Sequence, residues 1–257
     1  MNFQNVLLAG AGLIAGLLTQ GNVNAQDSNQ WAPANVRIDG QPTEWPKPLQ
    51  FYNNDTKLFY TIANDKENLY VIVSVPDAQS QVKIMRSGLT FSVNASGKKK
   101  GGASLTFPLI TEAAVTPDVP EESRQRVAAE WKKQSLANVK EIKVDGFTGV
   151  TDGNIPTDNK FGIRAAASLD AAGNLVCEFA LPLSAAGITP GTDKPVAYHF
   201  RVNALNKEEL KERQKAAAKA QQGQGQGQPP MPGQMQDMIT LYYPSDFWTR
   251  QTLAIHQ

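Results

Sequence analysis

Three polar side chains share one face of a single extended segment. Residues 196–205 alternate so that Val196, Tyr198, Phe200 and Val202 point one way and His199, Arg201 and Asn203 the other. An imidazole, a guanidinium and a carboxamide in a row can hold several hydroxyls or one acid group. A solvated sheet face is the plainer reading of the same pattern. Trp248 follows Tyr242, Tyr243 and Pro244 in an aromatic closing loop. Its indole either stacks on the C–H face of a sugar ring or closes one end of a core. Arg86, just before a strand expected at Gly88, is a further donor to a ligand or a surface arginine. The candidate binding set is therefore Trp248, Arg201, Asn203, His199 and Arg86.

Catalytic chemistry is thinly supplied. The chain has no Gly-x-Ser-x-Gly, no His-Glu-x-x-His and no phosphate-binding glycine loop. A glycosidase needs two carboxylates across a scissile bond, and Glu178 has no recognisable acid partner. A protein without a catalytic role is expected. The single cysteine, Cys177, excludes an intramolecular disulfide and a cysteine-based metal cluster. It alternates with Glu178, sharing a face with Phe179 and Leu181, and reads as a buried, inert thiol. His199 and His256 are the only histidines, too few for a histidine-rich metal centre. No resident cofactor is expected beyond a structural calcium, for which Asp65, Glu67 and Asp77 offer oxygens near a turn without a regular ligand spacing.

Charge narrows the partners. Lysine plus arginine is 25 and aspartate plus glutamate 24, a net charge of +1 over 257 residues. That balance opposes a nucleic-acid surface spread over the whole protein, while a local patch stays open. The triplet Lys98-Lys99-Lys100 is the one basic run of note. It reads as a solvated hairpin tip, with contact to an anionic partner as the other reading.

Strands must position these residues. Residues 57–63 and 68–75 are rich in β-branched and aromatic side chains and predict a hairpin, with Leu69, Val71, Val73 and Val75 facing the core. Residues 88–94 with 103–107, and 161–169 with 174–181, predict two more. Strands are also expected at 140–147, 196–205, 238–243 and 252–255. The fold class is all-β, an antiparallel β-sandwich over residues 36–257 in one domain, with two insertions. The first insertion, at about 109–138, predicts a helix from Asp118 to Ala137 with Pro120 in its first turn and Trp131 docking it. The second, at 206–237, predicts a helix that runs into a low-complexity Gln/Gly/Pro loop, either a tolerated insertion or an arm for a protein partner.

The N-terminus predicts export. Residues 6–18 are apolar or glycine throughout, too short to span a bilayer, and end near a small-x-small cleavage pattern at Val23-Asn24-Ala25. Residues 1–25 read as a signal peptide and 26–35 as a polar tether. No later run reaches the ~20 apolar residues of a membrane helix. The expected location is periplasmic or extracellular.

Ile38-Asp39-Gly40 followed by Glu44-Trp45 resembles the opening of family 9 carbohydrate-binding modules, within the broader DOMON-like β-sandwiches. Asp65-Lys66-Glu67-Asn68-Leu69-Tyr70, Glu178-Phe179-Ala180-Leu181-Pro182-Leu183, Phe200-Arg201-Val202-Asn203 and Phe247-Trp248 follow in that family's order. The resemblance covers roughly residues 36–205 and 238–255. It implies a jelly-roll sandwich that binds carbohydrate without cleaving it, with calcium as a structural ion. Trp45, as part of the opening motif, is expected in the core. Some DOMON-like relatives bind haem through methionine and histidine, which nominates Met85 and His199. An accessory envelope protein that uses the sandwich for protein contacts is the remaining alternative.

Overall fold

Period-two alternation along short segments decides the architecture. Each segment has an apolar face to bury, and two sheets laid face to face bury it. The structure, a computed structural model, describes residues 28–110, 121–206, 208 and 240–255. Its elements run β1 (Gln30–Trp31), β2 (Phe51–Asn53), β3 (Leu58–Asn64), β4 (Asn68–Val75), α1 (Ala78–Ser87), β5 (Leu89–Asn94) and β6 (Ala103–Phe107). Then come α2 (Glu121–Ala137), β7 (Glu141–Asp145), β8 (Gly153–Pro156), β9 (Arg164–Leu169), β10 (Leu175–Pro182), β11 (Val196–Val202) and β12 (Ser245–Gln251). This is the all-β sandwich expected from the sequence.

The first sheet has the order β1-β3-β4-β10-β9, with β2 also on β3. The second has the order β12-β11-β5-β6-β7-β8. All pairings are antiparallel except β1 with β3. Rings from both sheets meet in the core between them. Phe91 of β5 lies 6.3 Å from Phe179 of β10, and Tyr60 of β3 lies 4.8 Å from Phe200 of β11. Leu69, Val71, Val73 and Val75 are fully buried, as the alternation of β4 requires. Trp131 packs α2 against the same core, the docking role expected of it.

Several expectations need correction. Residues 28–32 are no tether: Ser28 bridges Thr252, Asn29 is buried, and β1 joins the first sheet. Met85 and Arg86 stand on a helix, α1, that the sequence pattern did not announce. Its buried positions include Gln81 and Lys83, whose side chains donate to the carbonyls of Val75, Gly173 and Tyr243. Hydrogen bonds to distant backbone thus replace the apolar stripe that announces a helix. The described part of the expected strand at 238–243 is a turn, and the closing strand is β12 instead. Beyond it, of residues 252–255, only Thr252 makes a bridge. Asp118 and Pro120, residues 1–25 expected as a signal peptide, His256 and nearly all of the 206–237 insertion lie outside the described residues.

The first sheet is buried on both faces. Residues from Ala32 to Leu49 fold over its outer side, where Ala32 and Trp45 pack on Ala63, Ile72 and Val176. Hence β10 is buried along nearly its whole length, although its sequence alternates.

Candidate functional site

The outward face of the second sheet collects three of the nominated residues. Phe200 of β11 and Phe247 of β12 turn into the core and stack 5.0 Å apart at 9°. Their neighbours along each strand therefore turn outward. The register sets His199 opposite Trp248, Arg201 opposite Asp246 and Ala197 opposite Arg250. Imidazole and indole stack with centroids 4.5 Å apart and planes 10° apart. His199 Nε2 lies 2.8 Å from Asp246 Oδ2, which fixes the imidazole plane and through it the indole. β12 is the edge strand of this sheet among the described residues. Trp248 is half-buried, while Arg201, Asp246 and Arg250 are exposed. On the far side of β11, Thr90 and Ser92 of β5 continue the polar face, and Thr90 Oγ1 lies 2.7 Å from Thr106 Oγ1.

Trp248 thus stands on an edge strand, not in the loop expected for it. Asn203 and Arg86 do not join this group. The Asn203 amide donates to the Ser87 carbonyl and to Thr90 Oγ1, both at 2.9 Å, and its backbone N–H donates to the Gly88 carbonyl. It fastens the end of β11 to the end of α1. Arg86 is half-buried and engaged in the last turn of α1, beyond the final row of the β5–β11 pairing. Asp246 and Arg250 were not nominated from sequence. They are the residues two before and two after Trp248, so reading 245–251 as a strand finds both.

Glu178 occupies a different position. Its side chain is fully buried on β10 under the folded-over segment. Oε1 accepts the Trp45 Nε1–H at 2.7 Å, and Oε2 accepts the backbone N–H of Asp39 at 3.1 Å and of Gly40 at 2.8 Å. The Asp39-Gly40 turn, Trp45 and Glu178 therefore meet around one carboxyl group. Burial pushes its pKa up to about 7, against the three donors, which favour the charged form. Sealed from solvent, this carboxyl group ties chain segments together. Trp45 takes the core position expected of it, at 3% exposure.

Two of the three carboxylates nominated for calcium, Asp65 and Asp77, are already engaged. Asp65 Oδ1 accepts the N–H groups of Glu67 and Asn68, and Oδ2 accepts the Tyr70 hydroxyl. Asp77 caps α1 by accepting the Ser80 N–H at 2.8 Å. The two lie beyond opposite ends of β4, and no metal-sized group of three acids, histidines or cysteines occurs among the described residues. Met85 is buried in the core on α1, while His199 faces outward, so the structure does not bring the nominated haem ligands together. Cys177 is fully buried, and burial pushes its thiol up to about 12.

At one end of the sandwich, a cleft of about 470 Å³ opens between α1, the β2–β3 turn and residues 240–245. Lys57, Asp77, Lys83 and Tyr243 line it. The Lys83 ammonium donates to the Tyr243 carbonyl at 2.6 Å, and burial lowers its pKa.

No family model and no curated protein matches the sequence. Function therefore rests on what these side chains can bind. A stacked indole at a sheet edge, with an acid and two guanidinium groups beside it, offers an apolar ring face and hydrogen-bonding groups together.

Proposed function

We propose that this chain is a non-catalytic carbohydrate-binding β-sandwich, exported to the periplasm or the cell exterior, that holds sugar on the β11–β12 face. The observation that carries this reading is the His199–Trp248 stack, held by Asp246 on an outward, polar sheet face. A sugar ring packs its C–H face on the indole face at the sheet edge, and its hydroxyls bond to Arg201, Asp246 and Arg250. The imidazole holds the indole in place before sugar arrives, so little side-chain freedom is lost on binding. The resemblance to family 9 carbohydrate-binding modules supports the same reading, and the apolar run at residues 6–18 supports export.

Calorimetric titration of the purified protein with mono- and oligosaccharides, with and without calcium, tests it. Binding that disappears in Trp248→Ala supports the site. Binding that survives Trp248→Ala and disappears in Tyr243→Ala moves the site to the cleft beside α1. A folded protein that binds no sugar overturns the reading in favour of an accessory sandwich that contacts proteins.

A further inference from the structure

The sugar reading uses the ring stack and leaves an accumulation of positive charge unexplained. Arg201 and Arg250 flank the stack on the same face, one on each strand. Neither guanidinium is engaged by another group among the described residues. The acid opposite Arg201, Asp246, is bound to His199. Arg201 lies two residues from the stack in one direction and Arg250 two residues in the other, about 14 Å apart along the strands at the usual rise per residue.

The charge continues past Arg250. Ala197, opposite Arg250, is also paired with Asn94, the last residue of β5. The Asn94 amide donates to the Lys100 carbonyl at 2.6 Å, which ties down the exposed tip of Lys98, Lys99 and Lys100. Gly97 in that tip sits so close to the start of β11 that a Cβ there would stand 2.6 Å from the Pro195 carbonyl oxygen. Lys194, also exposed, precedes that proline. Thus the Lys98–Lys100 tip and Lys194 lie at the end of the second sheet where β11 begins, the end nearer Arg250, in a protein of net charge +1. Asp193 is an exposed acid beside Lys194.

We propose that the sugar held here is acidic: an oligosaccharide bearing carboxylate or sulfate groups, stacked on Trp248, bridged by Arg201 and Arg250 and continued onto the Lys98–Lys100 tip. The proposal rests on the reading of this face as a sugar site. A guanidinium fork matches a carboxylate or sulfate in geometry as well as charge. The lysines beyond the stack extend the attraction to longer chains through the field they set up.

The test titrates the purified protein with oligogalacturonate, a sulfated chondroitin oligosaccharide and neutral cello- and xylo-oligosaccharides, each at low and high sodium chloride. Acidic oligomers are expected to bind roughly tenfold tighter than neutral ones and to lose a similar factor between low and high salt. The double change Arg201→Gln and Arg250→Gln, at two exposed positions, is expected to abolish the preference for acidic over neutral oligomers with the melting temperature unchanged. Binding of oligogalacturonate shows that carboxylate suffices, and tighter binding of the chondroitin oligosaccharide, which carries both groups, adds a role for sulfate. Neutral oligomers that bind as tightly as acidic ones, with no salt dependence, overturn the acidic class and leave the sugar site standing. A folded protein that binds no oligosaccharide overturns both.

Discussion

Trp45 and Glu178 are 133 residues apart in the chain, yet the indole N–H donates to the Glu178 carboxyl group across 2.7 Å. The bond closes the segment from Ala32 to Leu49 over the first sheet and removes a carboxyl group from water. Trp45→Phe keeps a ring and deletes the donor. A loss of about 1–3 kcal/mol in chemical denaturation is expected, because a buried acceptor loses its partner. Unchanged stability would mean that Trp45 acts only through packing.

The same carboxyl group gives the fold a pH dependence. Its folded pKa, raised to about 7, exceeds the ordinary carboxyl value of 4.5, so the folded state binds the proton more tightly. Stability is therefore highest where the group is protonated in both states and falls as pH rises from about 4.5 to about 7, by about 3 kcal/mol. Glu44 and Asp65, held below the ordinary carboxylate range by hydrogen bonds that outweigh their desolvation, lose their contribution only under more acidic conditions. Denaturation at pH 5 and pH 7.5 should show this fall in the native protein and a flat profile in Glu178→Gln.

Gly40 has φ of +78°, and a Cβ there would stand 2.8 Å from the backbone of Ala167 and Ser168. The turn that supplies two N–H donors to Glu178 thus requires glycine for both its conformation and its approach to β9. Gly40→Ala is expected to cost more than about 1 kcal/mol, measured as a lower denaturation midpoint with an unchanged slope.

Asp246 holds the imidazole that supports Trp248. Asp246→Ala should weaken sugar binding several-fold while the melting temperature stays within a degree or two, since the side chain is exposed. Unchanged binding would remove Asp246 from the site, both as support for the imidazole and as a partner for sugar hydroxyls.

Cys177 should be silent in the native state. Full burial and a raised thiol pKa both suppress the thiolate. A thiol reagent should label it only after denaturation, at the rate of unfolding.

Sequence alone determined the segments whose partners are close and whose pattern is local. The hairpins β3–β4, β5–β6 and β9–β10 were legible because alternation and the turns between them are encoded within a few residues. So was the division of β11 into a core face and an outward face carrying His199 and Arg201. Tertiary structure decided the rest. Residues 245–251 alternate charged and aromatic side chains too weakly to declare a strand, and pairing with β11 makes them one. That pairing alone sets Trp248 against His199. Alternation placed Glu178 opposite the core, but a second layer of chain covers that face and turns it into a buried acid. Helix α1 buries Gln81 and Lys83 because the nearby Val75 carbonyl and the distant Gly173 and Tyr243 carbonyls receive them. Local periodicity carries the information for a strand or a hairpin. Register, edge position and the burial of polar groups are properties of contacts between segments far apart in the chain, and they exist only once the chain has folded.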